Sequence, residues 1–133
     1  LEDELKKRKI KTIPLKVSAP FHCSLMKPAA QIMTKKINDT NFKNPLIDII
    51  SNVTAKAEND PLRIKDLLIN QIFSTVRWRE SLEFMSDNGV KNYVEVGPGK
   101  ALTGMVKRTL KNSNSFSINS IDDMKIIQNE FQK

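Results

Sequence analysis

The sequence holds one histidine, one cysteine, one tryptophan, one tyrosine and four glycines in 133 residues, and each scarcity closes a class of function. A single cysteine cannot form an intramolecular disulfide, so a reducing, cytoplasmic compartment is the expectation. One histidine and one cysteine, with no carboxylates at ligand spacing, cannot build a closed zinc site, and no metal is expected. The glycines, at positions 89, 97, 99 and 104, leave no Gly-x-Ser-x-Gly elbow for a serine nucleophile. No apolar run reaches the roughly 18–20 residues that span a bilayer, so no membrane is expected as a partner. The first ten residues, acidic and then basic, do not read as a signal peptide. The chain starts at Leu1 and not at Met, which points to processing or to a missing upstream segment.

What is present suits a globular chain of at most one domain, with 39% hydrophobic and 28% charged residues. The net charge of +7 raises the question of nucleic acid. Of the 22 basic residues 17 are lysine, a point charge, whereas groove readers favour the planar fork of arginine. Only "KKRKIK" at 6–11 is a cluster. A solvated basic surface is therefore preferred to a nucleic-acid site, with a rim that steers an acidic protein or a phosphorylated cofactor as the middle case.

The pattern of apolar residues predicts strands alternating with helices. Leu1–Lys9 reads as a helix whose charges complement its dipole. "TIPLKVS" (12–18) reads as a strand, with Pro14 at an edge. Met26, Ala30, Met33 and Ile37 recur at helical spacing, and Pro28 fits the first turn. "PLIDIIS" (45–51) suits a buried strand, followed by a polar loop. Helices are expected from Pro61, with Ile64, Leu67, Leu68 and Ile72 inward, and through Trp78, Leu82 and Met85 to Asn88-Gly89. "NYVEV" (92–96) is a strand, and "GPGK" turns into a helix with Leu102, Met105, Val106 and Leu110 inward. "SFSIN" (115–119) is a last strand, and Ser120 caps a helix holding Ile121, Met124, Ile127 and Phe131. This order gives an α/β fold with a mainly parallel sheet, whose ligands bind where strands lead into helices.

Two side chains stand out against this frame. His22, in "SAPFHCSLMKPAA" (18–30), lies at a strand-to-helix position, and it reads either as a capping histidine or as a proton-transfer group. Cys23 beside it reads as a small buried residue and not as a nucleophile activated by His22, because neighbours in an extended segment face opposite ways. Gln71 projects from the apolar face of its helix, either as a satisfied core amide or as a site-lining group. Asn52, just after a strand, raises the same question more weakly. "GPGK" lacks the spacing of a phosphate loop and reads as a tight turn, with weak anion affinity at the helix start.

Three ordered segments, "VSAPFHCSLMKPAA", "NQIFSTVRWRESLEFM" and "YVEVGPGKALTGMVKR", closely resemble the C-terminal part of the malonyl-CoA:acyl carrier protein transacylases of fatty-acid synthesis. The resemblance runs from about Leu15 to Arg108. It implies the C-terminal portion of a hydrolase-like parallel-sheet acyltransferase domain (residues 19–133). The end of a ferredoxin-like small subdomain would then occupy residues 1–18. It also implies transfer of malonyl from coenzyme A to the phosphopantetheine thiol of acyl carrier protein through a serine ester. Malonyl-CoA is then a substrate, the phosphopantetheine belongs to the partner, and no cofactor is resident. By the match at Pro20-Phe21-His22, His22 is the general base and Phe21 favours malonyl over branched acyl groups. Gln71 matches the residue whose main-chain carbonyl orients the histidine and whose side chain lines the site. Asn52 matches an asparagine near the site.

The family's "PVRW" is "TVRW" here, with Thr75 in place of proline. The family's serine elbow, oxyanion partners and substrate-binding arginine lie upstream, so the chain alone is expected to be inactive and prone to aggregate. The alternatives are a non-catalytic remnant that binds carrier protein and an acyltransferase domain of a polyketide synthase-like system.

Overall fold

A computed structural model describes residues 1–13 and 17–131. Helix α1 (Glu2–Lys7) carries Glu2, Asp3 and Glu4 in its first turn and Lys6 and Lys7 in its last, the order that favours its dipole. Residues 14–16 of the strand expected over 12–18 lie outside those described, and the flanking residues 12, 13, 17 and 18 form no strand. A short 3₁₀ turn (Ser24–Met26) leads into α2 (Lys27–Asp39), with Pro28 in its first turn, where the missing N–H costs nothing. Ala30 is buried where α2 packs on α3 (Pro61–Gln71).

The run at 45–51 departs from expectation. Only Ile49–Ile50 form a strand, β1, paired antiparallel with β2 (Ala57–Glu58) inside the stretch read as a polar loop. Leu46 and Ile47 stand in solvent, 100% and 80% exposed, because no described layer lies over them. A short run flanked by Asn and Pro cannot bury itself alone; it needs a second layer.

The C-terminal half follows its pattern more closely. Asp60 caps α3 by accepting from the Leu62 N–H at 3.0 Å, and Pro61 opens the helix. Helix α4 (Trp78–Asp87) buries Leu82 completely. Strand β3 (Asn92–Val96) runs parallel to β4 (Asn114–Ile118), in register from Asn92 opposite Asn114 to Val96 opposite Ile118. Helix α5 (Ala101–Thr109) connects them, and α6 (Ile121–Phe131) packs on β4. The expected mainly parallel sheet is thus two separate strand pairs among the described residues, one parallel and one antiparallel. The inward face of α5 is also corrected. Thr103 and Val106 are buried, while Leu102 and Met105 stay two-fifths exposed. Thr103 turns inward because its hydroxyl bonds to Glu95 and to the Phe116 carbonyl. No helix of the described residues is long and apolar enough to cross a membrane.

Candidate functional site

His22 sits on the turn before α2 with a left-handed backbone, φ +57°. That conformation is uncommon outside glycine, with histidine among the residues that tolerate it best, and it replaces the extended segment expected from sequence. The turn is fixed from both sides. The Phe21 N–H bonds to the Ala19 carbonyl at 2.9 Å, and Cys23 Sγ donates to the Pro20 carbonyl at 3.1 Å. Cys23 and His22 therefore have different partners, and the thiol is no nucleophile paired with this imidazole.

The imidazole reaches across 49 residues: His22 Nδ1 lies 2.9 Å from the main-chain oxygen of Gln71. That carbonyl is free for a local reason. Gln71 is the last residue of α3, and the last carbonyls of a helix have no intrahelical donor. Ile72 and Phe73 fold their N–H groups back onto Ile69 and Asn70, which leaves the Gln71 oxygen pointing out. A carbonyl only accepts, so Nδ1 carries the proton and the neutral ring keeps its lone pair on Nε2. Nε2 is on an exposed residue with no protein partner among the described residues, so it is able to accept a proton from a group brought to it.

The other expected site residues are placed unevenly. The Gln71 side chain is half-buried and lines a small cavity of about 50 Å³ with Ile50, Ser51, Ile64, Leu67 and Leu68. Phe21 directly precedes His22 in the chain and is 55% exposed, so it is a surface residue of this chain and not part of its core. Asn52 is half-buried in the turn after β1, where its main-chain oxygen accepts from the Arg77 N–H at 3.1 Å. Its side chain makes no hydrogen bond with His22 or Gln71. Histidine and glutamine are joined by a hydrogen bond; asparagine is bonded to neither. No group of three or more His, Cys, Asp or Glu among the described residues could hold a metal ion.

"GPGK" is resolved differently from its sequence reading. The Glu95 carboxylate, on β3, accepts from the Leu102 and Thr103 N–H groups at 3.1 and 2.8 Å and from the Thr103 hydroxyl at 2.7 Å. Those bonds, the Thr103 N–H first, hold the Glu95 carboxyl below the usual carboxylate range. Gly97 and Gly99 adopt φ of +138° and +101°, and the Gly99 N–H donates to Asn119 Oδ1 at 2.7 Å. The anion-binding end of α5 is thus filled from within, which removes the expected anion affinity. Sequence reasoning missed this carboxylate, although an acidic residue one before the end of a strand and six before the start of a helix is the available signal. It also missed Arg77, whose bonds join several segments.

No protein-family model matches the chain. It is 39% identical over 109 residues to a malonyl CoA-acyl carrier protein transacylase of Salmonella typhimurium, an alignment that covers 82% of this chain and 35% of that protein. Among solved structures, an acyl carrier protein S-malonyltransferase from Vibrio cholerae superposes with a TM-score of 0.82 at 44% identity, over 88% of this chain and 38% of that one. A malonyl-transacylase in complex with its type II PKS acyl-carrier protein superposes with a TM-score of 0.84 at 33% identity, over 96% of this chain and 42% of the other. The chain spans little more than a third of the length of the curated relatives it matches.

Proposed function

This chain belongs with the malonyl CoA-acyl carrier protein transacylases over most of its own length, and we propose that it supplies the histidine half of their acyl-transfer site. The observation that carries this reading is the 2.9 Å bond from His22 Nδ1 to the Gln71 carbonyl, which leaves Nε2 as the free base. In the proposed reaction Nε2 takes the proton of a serine hydroxyl as its oxygen attacks the thioester carbonyl of malonyl-CoA. The thiolate of coenzyme A leaves and takes that proton from the imidazolium. The phosphopantetheine thiol of acyl carrier protein then gives its proton to Nε2 and attacks the serine ester, and the serine oxygen is reprotonated as it departs. The Gln71 carbonyl holds the ring and its Nδ1–H tautomer in place throughout.

The serine belongs to a segment outside this sequence, which has no Gly-x-Ser-x-Gly motif. Phe21 then forms one wall of the acyl pocket, and Asn52 approaches the substrate from the turn after β1. Residues 1–18 are assigned to the end of a small ferredoxin-like subdomain and 19–133 to the large one. No resident cofactor is required, and the cytoplasm is the assigned compartment.

The test is reconstitution. The chain alone is expected to transfer no malonyl, and joining it to the serine-bearing segment restores transfer. In the restored enzyme His22→Ala lowers kcat by about 10²–10⁴-fold, the usual worth of a general base. Transfer that persists in His22→Ala rules out the assigned role.

A second reading draws on the net charge of +7 and on the related malonyl-transacylase solved with its carrier protein. On that reading the chain is a non-catalytic module that docks an acidic carrier protein. Carrier protein then binds the chain alone, weakening steeply as salt rises. Binding that ignores salt, or no binding, removes it.

A further inference from the structure

The turn after β1 and the connection after α3 meet at one residue, Arg77. Its N–H donates to the Asn52 carbonyl at 3.1 Å, and its Nη1 donates to the Thr54 carbonyl at 3.1 Å. Its Nε donates to Glu80 Oε1 at 3.1 Å. In the other direction the Arg77 carbonyl accepts from the Ser81 N–H at 3.0 Å and from the Ser81 hydroxyl at 2.8 Å, and Ser81 is buried. One residue thereby ties the 51–56 turn to the first turn of α4.

The bonded groups need such a partner. The 51–56 turn is tight, with Ala55 at φ +54°, and it presents its Asn52 and Thr54 carbonyls outward to Arg77. Main-chain carbonyls without donors are costly when half-buried. The planar guanidinium fork directs Nη1 and Nε at two separate acceptors, an arrangement that a lysine ammonium does not reproduce.

The chain path gives this anchor its second consequence. Residues 74–76, between Gln71 and Arg77, adopt no regular structure. The last residue of α3, whose carbonyl receives the His22 N–H, is thus followed by an irregular stretch that is next fixed at Arg77. The same residue also fixes the turn that carries Asn52.

We infer that Arg77 is a positioning residue for the acyl-transfer site, holding the Gln71 carbonyl and the Asn52 turn in a fixed relation to the His22 ring. The inference rests on the function proposed above. Arg77 touches no reacting atom in it and acts through Gln71 and Asn52. A residue that served the fold alone would change the amount of folded protein and not the turnover of each folded molecule.

The experiment uses the complete enzyme, this chain joined to its serine-bearing segment, with malonyl-CoA and acyl carrier protein as substrates. Arg77→Ala keeps the main-chain bond to Asn52 and removes the side-chain bonds to Thr54 and Glu80. It is expected to lower kcat by roughly 10–100-fold per folded molecule, the scale on which small misplacements act, with KM for malonyl-CoA little changed. Arg77→Lys recovers part of that loss, because one ammonium still reaches one carbonyl. Glu80→Gln, which leaves both main-chain clips in place, keeps the wild-type kcat. Wild-type turnover in folded Arg77→Ala overturns the inference, and so does a fall in thermal midpoint with turnover per folded molecule unchanged. His22→Ala in the same enzyme separates the two failures. If His22→Ala is inactive and Arg77→Ala is normal, only the inference fails. If His22→Ala still transfers malonyl, the proposed function fails and the inference goes with it.

Discussion

At Glu95 both carboxylate oxygens are engaged by the protein, whereas at His22 one ring nitrogen is bonded and the other is left open. The first constellation is local: β3, α5 and β4 supply each other's partners within residues 92–118. The second is non-local, one bond spanning 49 residues from the turn before α2 to the end of α3. Both use a helix end, but in opposite senses. Glu95 neutralises the N–H groups at the start of α5 and closes that end to ligands. The carbonyl at the end of α3 instead orients a side chain and leaves its reactive atom free. Saturated polar groups build a frame; a deliberately unsaturated one is available for chemistry.

The sharpest contrast between well-packed and uncovered regions lies in two leucines. Leu82, on α4 against α5, is fully buried, while Leu46 before β1 is 100% exposed. Leu82→Ala is expected to cost about 2–5 kcal/mol in equilibrium urea unfolding, combining lost transfer energy with a cavity. Leu46→Ala is expected to stay within about 0.5 kcal/mol, as for surface changes that touch nothing. Equal losses from both would mean that Leu46 is covered in solution, and the contrast between the regions would break.

A smaller effect probes α3 from the end opposite the histidine. Asp60→Ala removes the cap on Leu62 and is expected to cost about 0.5–2 kcal/mol. The His22–Gln71 bond should survive, because it uses the other end of the helix. The chain has one histidine, so a single set of imidazole nitrogen signals reports it without ambiguity. Retention of the Nδ1–H tautomer with lowered stability keeps frame and site separate. Loss of the tautomer would show that the cap also governs the site.

The same division decides what could be read from sequence. Strand β3 was legible to the residue, and β4 to within one, because alternation and flanking turns are local signals. The helices were legible from their periodicity, and Leu82 and Val106 from their stripes. The 45–51 run was misread because an apolar run states what must be covered and not what covers it. Thr103 was not among the residues read as inward on α5, because its inward turn depends on Glu95, eight residues away. At the site, the place of His22 before a helix was legible, and the family resemblance supplied Gln71 as its partner. Neither periodicity nor composition could give the Gln71 carbonyl its direction, which depends on how α3 ends, nor show Arg77 bridging two turns.

The least of these effects concerns Glu95 and acid. Its folded carboxyl lies below the usual range because the Thr103 and Leu102 N–H groups bond to the charged form. A depressed folded value stabilises the fold above the unfolded carboxylate range, about 4.3, and that stabilisation is lost as pH falls through the folded value. Glu95→Gln removes the titration and turns an amide N–H₂ toward donors that it cannot satisfy. The variant is therefore expected to be less stable than wild type at neutral pH, and the gap should narrow below about pH 4.3 as the wild-type carboxyl protonates. Asp123, held low by the Asn119 N–H and the Ser120 hydroxyl, titrates in the same direction, so an acid limb persists in the variant. Solvent screening keeps the whole effect below that of the buried leucine. A gap that is constant with pH would mean that shape and not charge closes the start of α5, and that end of the helix would no longer count as neutralised from within.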